Sequence, residues 1–103
     1  MRIPLQWIAI IGLLVAAGPV RADYDLMVKK NCLACHQVDK RKYGPNFKEI
    51  AAKYADQKNA ADVLARKIRR GGTGVWGQDV MPPQPQVSTA EARTLASYVL
   101  SVK

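Results

Sequence analysis

Five consecutive residues, Cys32-Leu33-Ala34-Cys35-His36, concentrate the chemistry of this chain: its only two cysteines, three positions apart, followed directly by its only histidine. This is the attachment pattern for a c-type haem. On a turn of helix the spacing presents both thiols to the two vinyl groups of a porphyrin, while the imidazole reaches the iron from one side. Cys32 and Cys35 would become thioethers and His36 the proximal axial ligand.

Three other chemistries compete for the same residues. A structural zinc site needs about four Cys or His ligands in tetrahedral array, and the chain has three such residues in all. A thioredoxin-like redox pair expects a preceding strand and a βαβ context, whereas the flanks here have helical patterning and no strand run is evident. A plain structural disulfide accommodates the two cysteines but leaves His36 without a role.

The amino terminus sets the context. Met1-Arg2 precedes an apolar run from Ile3 to Val20, then Arg21-Ala22 and the acidic Asp23. A positive start, an apolar core and small residues before a polar boundary describe a secretory signal peptide, so residues 1–22 are expected to be a leader cut after Ala22 and residues 23–103 a single domain. The run approaches the length of a bilayer span, which makes an uncleaved anchor the competing reading. Gly18, Pro19 and Ala22 favour removal. A mature chain this short has little core of its own and usually needs a staple, a part that a covalent haem would fill.

Without the leader, 14 basic residues face 8 acidic ones, a net charge of +6. An exported chain without an aromatic-rich basic ribbon is a poor nucleic-acid binder. A cationic surface suits docking on an acidic protein, with Lys29, Lys30, Lys40 and Lys42 as the candidate steering charges.

The elements that must position the motif follow from periodicity. Residues 23 to about 35 have the pattern of a short amphipathic helix ending at the haem motif. Residues 37–46 are expected to form a loop with a basic tip at Lys40, Arg41 and Lys42, closed by Gly44-Pro45. Phe47, Ile50, Ala51 and Tyr54 fall on one helical face, and a further helix covers residues 60–70, ended by Gly71-Gly72. Four glycines and three prolines make residues 71–87 a loop. Ser88 with Glu91 three residues on is a capping-box start for the last helix.

The opposite face of an iron held by His36 could take Met27, Met81, water or nothing. Met27 lies five residues before Cys32 on the same short helix, too close to cross a porphyrin; Met81, 45 residues beyond His36, has the reach. Methionine there fills both axial positions and raises the reduction potential. An empty position would instead suit a gas sensor or a peroxidase-like enzyme, although no second histidine and no distal acid–base pair is evident.

Cys32-Leu33-Ala34-Cys35-His36, Tyr43-Gly44-Pro45, Gly74-Val75-Trp76-Gly77 and Met81-Pro82-Pro83, in this order and spacing, resemble the small bacterial class I cytochromes c of the c-551/c-552 group. The resemblance covers residues 23–103. It implies an all-α fold of about four short helices around one covalent haem, with the first and last helices packed together, and a one-electron carrier rather than an enzyme. It also implies that Met81 is the sixth ligand, that the Pro45 carbonyl accepts a hydrogen bond from His36, and that Trp76 and Lys67 face a haem propionate. As a class such proteins receive their haem outside the inner membrane, so the periplasm is the expected location. Partners would be redox proteins of a respiratory chain, such as a nitrite reductase, a terminal oxidase, a peroxidase or a quinol-oxidising complex. Two positions depart from the group's pattern: Gln84 stands where many members have Asn, and Tyr98 where many have Trp.

Overall fold

In the computed structural model, which describes residues 12 and 19–103, four α-helices and one 3-10 turn enclose a cleft. Most of the expected leader therefore lies outside the described residues. Among the described residues no helix is long and apolar enough to cross a membrane.

Helix α1 runs Pro19–Lys29 and begins four residues before the expected mature start. A proline is accommodated in a first turn, where its missing N–H has no partner in any case. The helix does not continue to Cys35 as its periodicity predicts. Asn31 adopts the left-handed conformation (φ 65°), which asparagine tolerates better than most residues, and the motif restarts as a separate 3-10 turn, Cys32–Ala34. The break lets the two cysteines and His36 leave the axis of α1.

Helix α2, Phe47–Tyr54, buries Phe47, Ile50, Ala51 and Tyr54 on the face that its spacing predicts. Its start is set by a capping box in which Asn46 Oδ1 accepts from Glu49 N (2.8 Å) and Glu49 Oε1 from Asn46 N (3.0 Å). Helix α3, Ala60–Arg70, ends on Gly71 with φ 75°, where the 81–83 backbone approaches so closely that an added Cβ would meet Met81 O and Pro83 N. Helix α4, Thr89–Ser101, opens with the expected box: Glu91 N donates to Ser88 Oγ (3.1 Å) and Ser88 N to Glu91 Oε1 (2.9 Å).

Helix α4 is the central element, packing on α1, α2 and α3. Ala92, Leu95 and Ala96 are essentially inaccessible and meet Met27, Phe47 and Leu64 in one apolar cluster. Tyr98 is buried too, edge-on to Phe47 (centroids 6.0 Å) and to Tyr24 (6.4 Å). Desolvation, followed by Tyr24 and Asp23, pushes its hydroxyl pKa up. The ends of α1 and α4 are tied by Lys30, whose ammonium lies 3.2 Å from Glu91 Oε2 and donates to Gln86 O at 3.0 Å.

Candidate functional site

The cleft opens between α3, the loop after the motif and the segment 72–84, and encloses about 1210 Å³ including the solvent at its mouth. Its lining brings together every predicted site residue: Cys32, Cys35, His36, Pro45, Lys67, Trp76 and Met81. The wall is otherwise mainly apolar, with Met27, Phe47, Leu64 and Ile68 among its side chains. Met27, excluded above by reach, is a core residue here, 2% exposed.

His36 is fixed on three sides. Its Nδ1 lies 2.7 Å from the Pro45 carbonyl oxygen; a carbonyl only accepts, so Nδ1 carries the proton and the neutral ring keeps its lone pair on Nε2. One face of the ring stacks on Phe47, with centroids 5.7 Å apart and planes 26° from parallel. Gly44 presses close by: a Cβ there would stand 2.6 Å from His36 Cε1. The Gly44 amide in turn donates to Cys35 O at 2.7 Å, which ties this wall to the motif.

Cys32 and Cys35 are half-buried and are not joined to each other as a disulfide. Burial is the main influence on Cys32 and pushes its pKa up; a backbone hydrogen bond pulls it back and Cys35 pushes it further. That direction is opposite to the activated thiolate of a redox Cys-X-X-Cys pair. Among the described residues no three His, Cys, Asp or Glu assemble for a metal ion.

Met81 organises another part of the lining. Its amide donates to Gly72 O (2.8 Å) and its carbonyl accepts from Gly72 N (3.0 Å), an isolated antiparallel bridge that anchors the loop beside the end of α3. Gln84 N adds a bond to Ile68 O at 3.2 Å. The Gln84 side chain is engaged within its own loop, donating to Pro82 O (3.0 Å) and accepting from Gln86 Nε2 (2.7 Å). Trp76 is half-buried. Its ring lies 5.4 Å from the Lys53 ammonium and its carbonyl accepts from Arg41 Nη2 at 3.3 Å.

Two cysteine sulfurs, an imidazole nitrogen and a thioether along one apolar cleft are the donor set that a flat, hydrophobic macrocycle with a central iron requires. Sequence reasoning passed over Gly44 as a wall for the imidazole, Phe47 as its stacking partner and Arg41 as a tie. Asn46-x-x-Glu49 was a readable signal for the capping box. Of the expected steering charges, Lys30 is occupied by Glu91 and Gln86, and Lys42 donates to Leu33 O at 3.3 Å, whereas Lys29 and Lys40 are exposed.

Comparison with known proteins agrees with this geometry. The sequence profile of the family described as Cytochrome c matches residues 24–103. The chain is 53% identical over 90 residues to cytochrome c-552 of Nitrosomonas europaea, covering 87% of each chain. It is 54% identical over 79 residues to cytochrome c-551 of Azotobacter vinelandii, covering 77% of this chain and 95% of that one. The crystal structure of wild-type Nitrosomonas europaea cytochrome c552 superposes with a TM-score of 0.76 at 54% identity, over 78% of this chain and 99% of that one.

Proposed function

The chain belongs to the cytochrome c family, a carrier of electrons on one covalently bound haem c and not an enzyme, and from that premise we propose a periplasmic one-electron shuttle with His36 and Met81 as axial ligands. Cys32 and Cys35 would hold the haem as thioethers. When bound, the haem supplies an iron that alternates between ferric and ferrous states. Everything else is the work of the chain's own residues.

The Pro45 carbonyl accepts a hydrogen bond from His36 Nδ1–H at 2.7 Å, which would leave Nε2 free to hold the metal, while Gly44 and Phe47 crowd the ring. The bridge to Gly72 anchors the backbone of Met81 in the lining of the same cleft, a position that supports its role as the second ligand. With His36 and Met81 both holding the iron, no position would remain for oxygen or peroxide, and rearrangement on electron transfer would be small. Lys67 and Trp76 line the cleft where a propionate can be met by an ammonium and an indole N–H. Exposed Tyr43, Val75 and Val80 stand among the lining residues, an apolar rim suited to brief contact with redox partners of a respiratory chain. Residues 1–22 would serve as the export leader.

The observation that carries this reading is the convergence of Cys32, Cys35, His36 and Met81 on one apolar cleft with the His36 tautomer already set. Its test is the far-red methionine-to-iron absorption band of the ferric haem-loaded protein. The band is expected in wild type and lost in Met81→Ala. A wild type that lacks the band and takes up carbon monoxide readily when reduced would instead have an open sixth position, as in a sensor or a peroxidase-like enzyme.

A further inference from the structure

The two segments that carry the proposed iron ligands are tied to each other at the surface. Arg41 lies five residues after His36, and Trp76 lies five residues before Met81. Arg41 Nη2 donates to the Trp76 carbonyl at 3.3 Å, and its Nη1 stands 3.6 Å from Glu49 Oε1. That oxygen is already fixed, because it accepts from Asn46 N in the capping box of α2. One turn along the same helix, Lys53 places its ammonium 5.4 Å from the Trp76 ring centroid. Glu49 and Lys53 are four residues apart and so share a face, and the buried face of α2 is locked into the core through Phe47, Ile50 and Tyr54.

The segment that these contacts hold has little else. Among the described residues, the Arg41 bond is the one hydrogen bond made to any residue from 73 to 80; the next ties are the Gly72–Met81 pair at its ends. Gly74 and Gly77, both with positive φ, flank Trp76 and give the backbone freedom to swing. A segment with so few hydrogen bonds is drawn from the low-stability end of the molecule.

We propose that Arg41, seated on Glu49, is a positioning residue that latches the Trp76 segment across the mouth of the cleft, with Lys53 as the second contact, and thereby holds Met81 in place. This rests on the Met81 ligation proposed above. Arg41 and Glu49 side chains are 48% and 35% exposed, so each contact is weak and salt-sensitive. The latch governs how often the segment opens, not the closed structure.

The experiment follows imidazole binding to the ferric haem-loaded protein by stopped flow, at imidazole concentrations where the rate is limited by opening, together with amide hydrogen exchange at residues 73–80. Arg41→Ala is expected to bind imidazole about threefold faster, and Arg41→Ala with Lys53→Ala about tenfold faster, with exchange in 73–80 raised in step and the far-red methionine band retained. Arg41→Lys, which keeps a donor, falls between. Added salt should accelerate wild type more than Arg41→Ala. Arg93→Ala, which removes a surface pair with Asp62 away from the cleft, is expected to leave rate and exchange unchanged. A wild type without the band overturns the ligation reading itself. A wild type with the band and an unaltered Arg41→Ala rate overturns the latch, as does an Arg93→Ala rate raised as far as that of Arg41→Ala.

Discussion

Gly44→Ala tests the packing around His36 most directly. A Cβ at position 44 would lie 2.6 Å from His36 Cε1, 2.9 Å from Nδ1 and 3.2 Å from Nε2, against roughly 3.5–4.0 Å for a comfortable carbon contact. The ring must retreat by about 1 Å, and it is already stacked on Phe47, which is 2% exposed. Overpacking of this kind costs roughly 1–3 kcal/mol. Displacing the ring also weakens the 2.7 Å bond to Pro45, adding about 0.5–1.5 kcal/mol. Against this, alanine restricts the unfolded chain and returns about 0.4–1 kcal/mol. Gly44 does not have a positive φ, unlike Gly71, Gly74 and Gly77, so no backbone strain enters. The net expectation is a loss of about 0.5–4 kcal/mol. At roughly 4–8 °C per kcal/mol for a domain of this size, the thermal midpoint should fall clearly.

The assay is thermal and guanidinium unfolding of the haem-loaded protein followed by far-ultraviolet circular dichroism. Gly72→Ala serves as an internal control, because a Cβ there meets only Lys67 Nζ at 3.9 Å. It should be neutral or slightly stabilising. A Gly44→Ala protein as stable as wild type, or more stable to the same degree as Gly72→Ala, would refute the claim that the imidazole has no room to move.

Two further outcomes follow from the same structure. Glu91 is held below its ordinary value of 4.5, first by the Ser88 backbone N–H and then by the Lys30 ammonium; as pH falls past 4.5 the unfolded chain binds the proton first, so its stabilisation is full above that value and vanishes below the lowered folded one. Acid unfolding of Glu91→Gln, which keeps the cap acceptor but not the charge, should accordingly differ from wild type at neutral pH and converge with it in acid, and a constant difference would exclude the ion pair as the cause. Leu95→Ala, at a position with no exposed surface in the middle of α4, should cost about 2–5 kcal/mol in denaturant unfolding, and a loss below about 1 kcal/mol would mean that α4 is not the centre of the core.

Much of the site was legible because its chemistry is local. Cys32, Cys35 and His36 are adjacent in sequence, so their joint purpose needs no tertiary information. The capping pairs and the apolar faces of α2 and α4 are likewise set by neighbours three and four residues away. The course of α1 was not legible: its periodicity runs into the motif without interruption, and the left-handed turn at Asn31 makes sense only once the thiols must face a cleft. Lys30 shows the same limit from the side of charge. As a letter it is one of several surface lysines, and only the approach of α4 to α1 places Glu91 and Gln86 around it.

The sequence by itself determined the haem motif, the all-α character, the extents of α2 and α3 and the start of α4, since each depends on residue type at short spacing. The tertiary structure alone decided which groups meet around the cleft: Gly44 against the His36 ring, the Arg41 guanidinium on the Trp76 carbonyl, and the Gly72 backbone paired with that of Met81. Those contacts join positions separated by loops, whose paths follow from the packing of α4 on the other three helices rather than from any local preference of the chain.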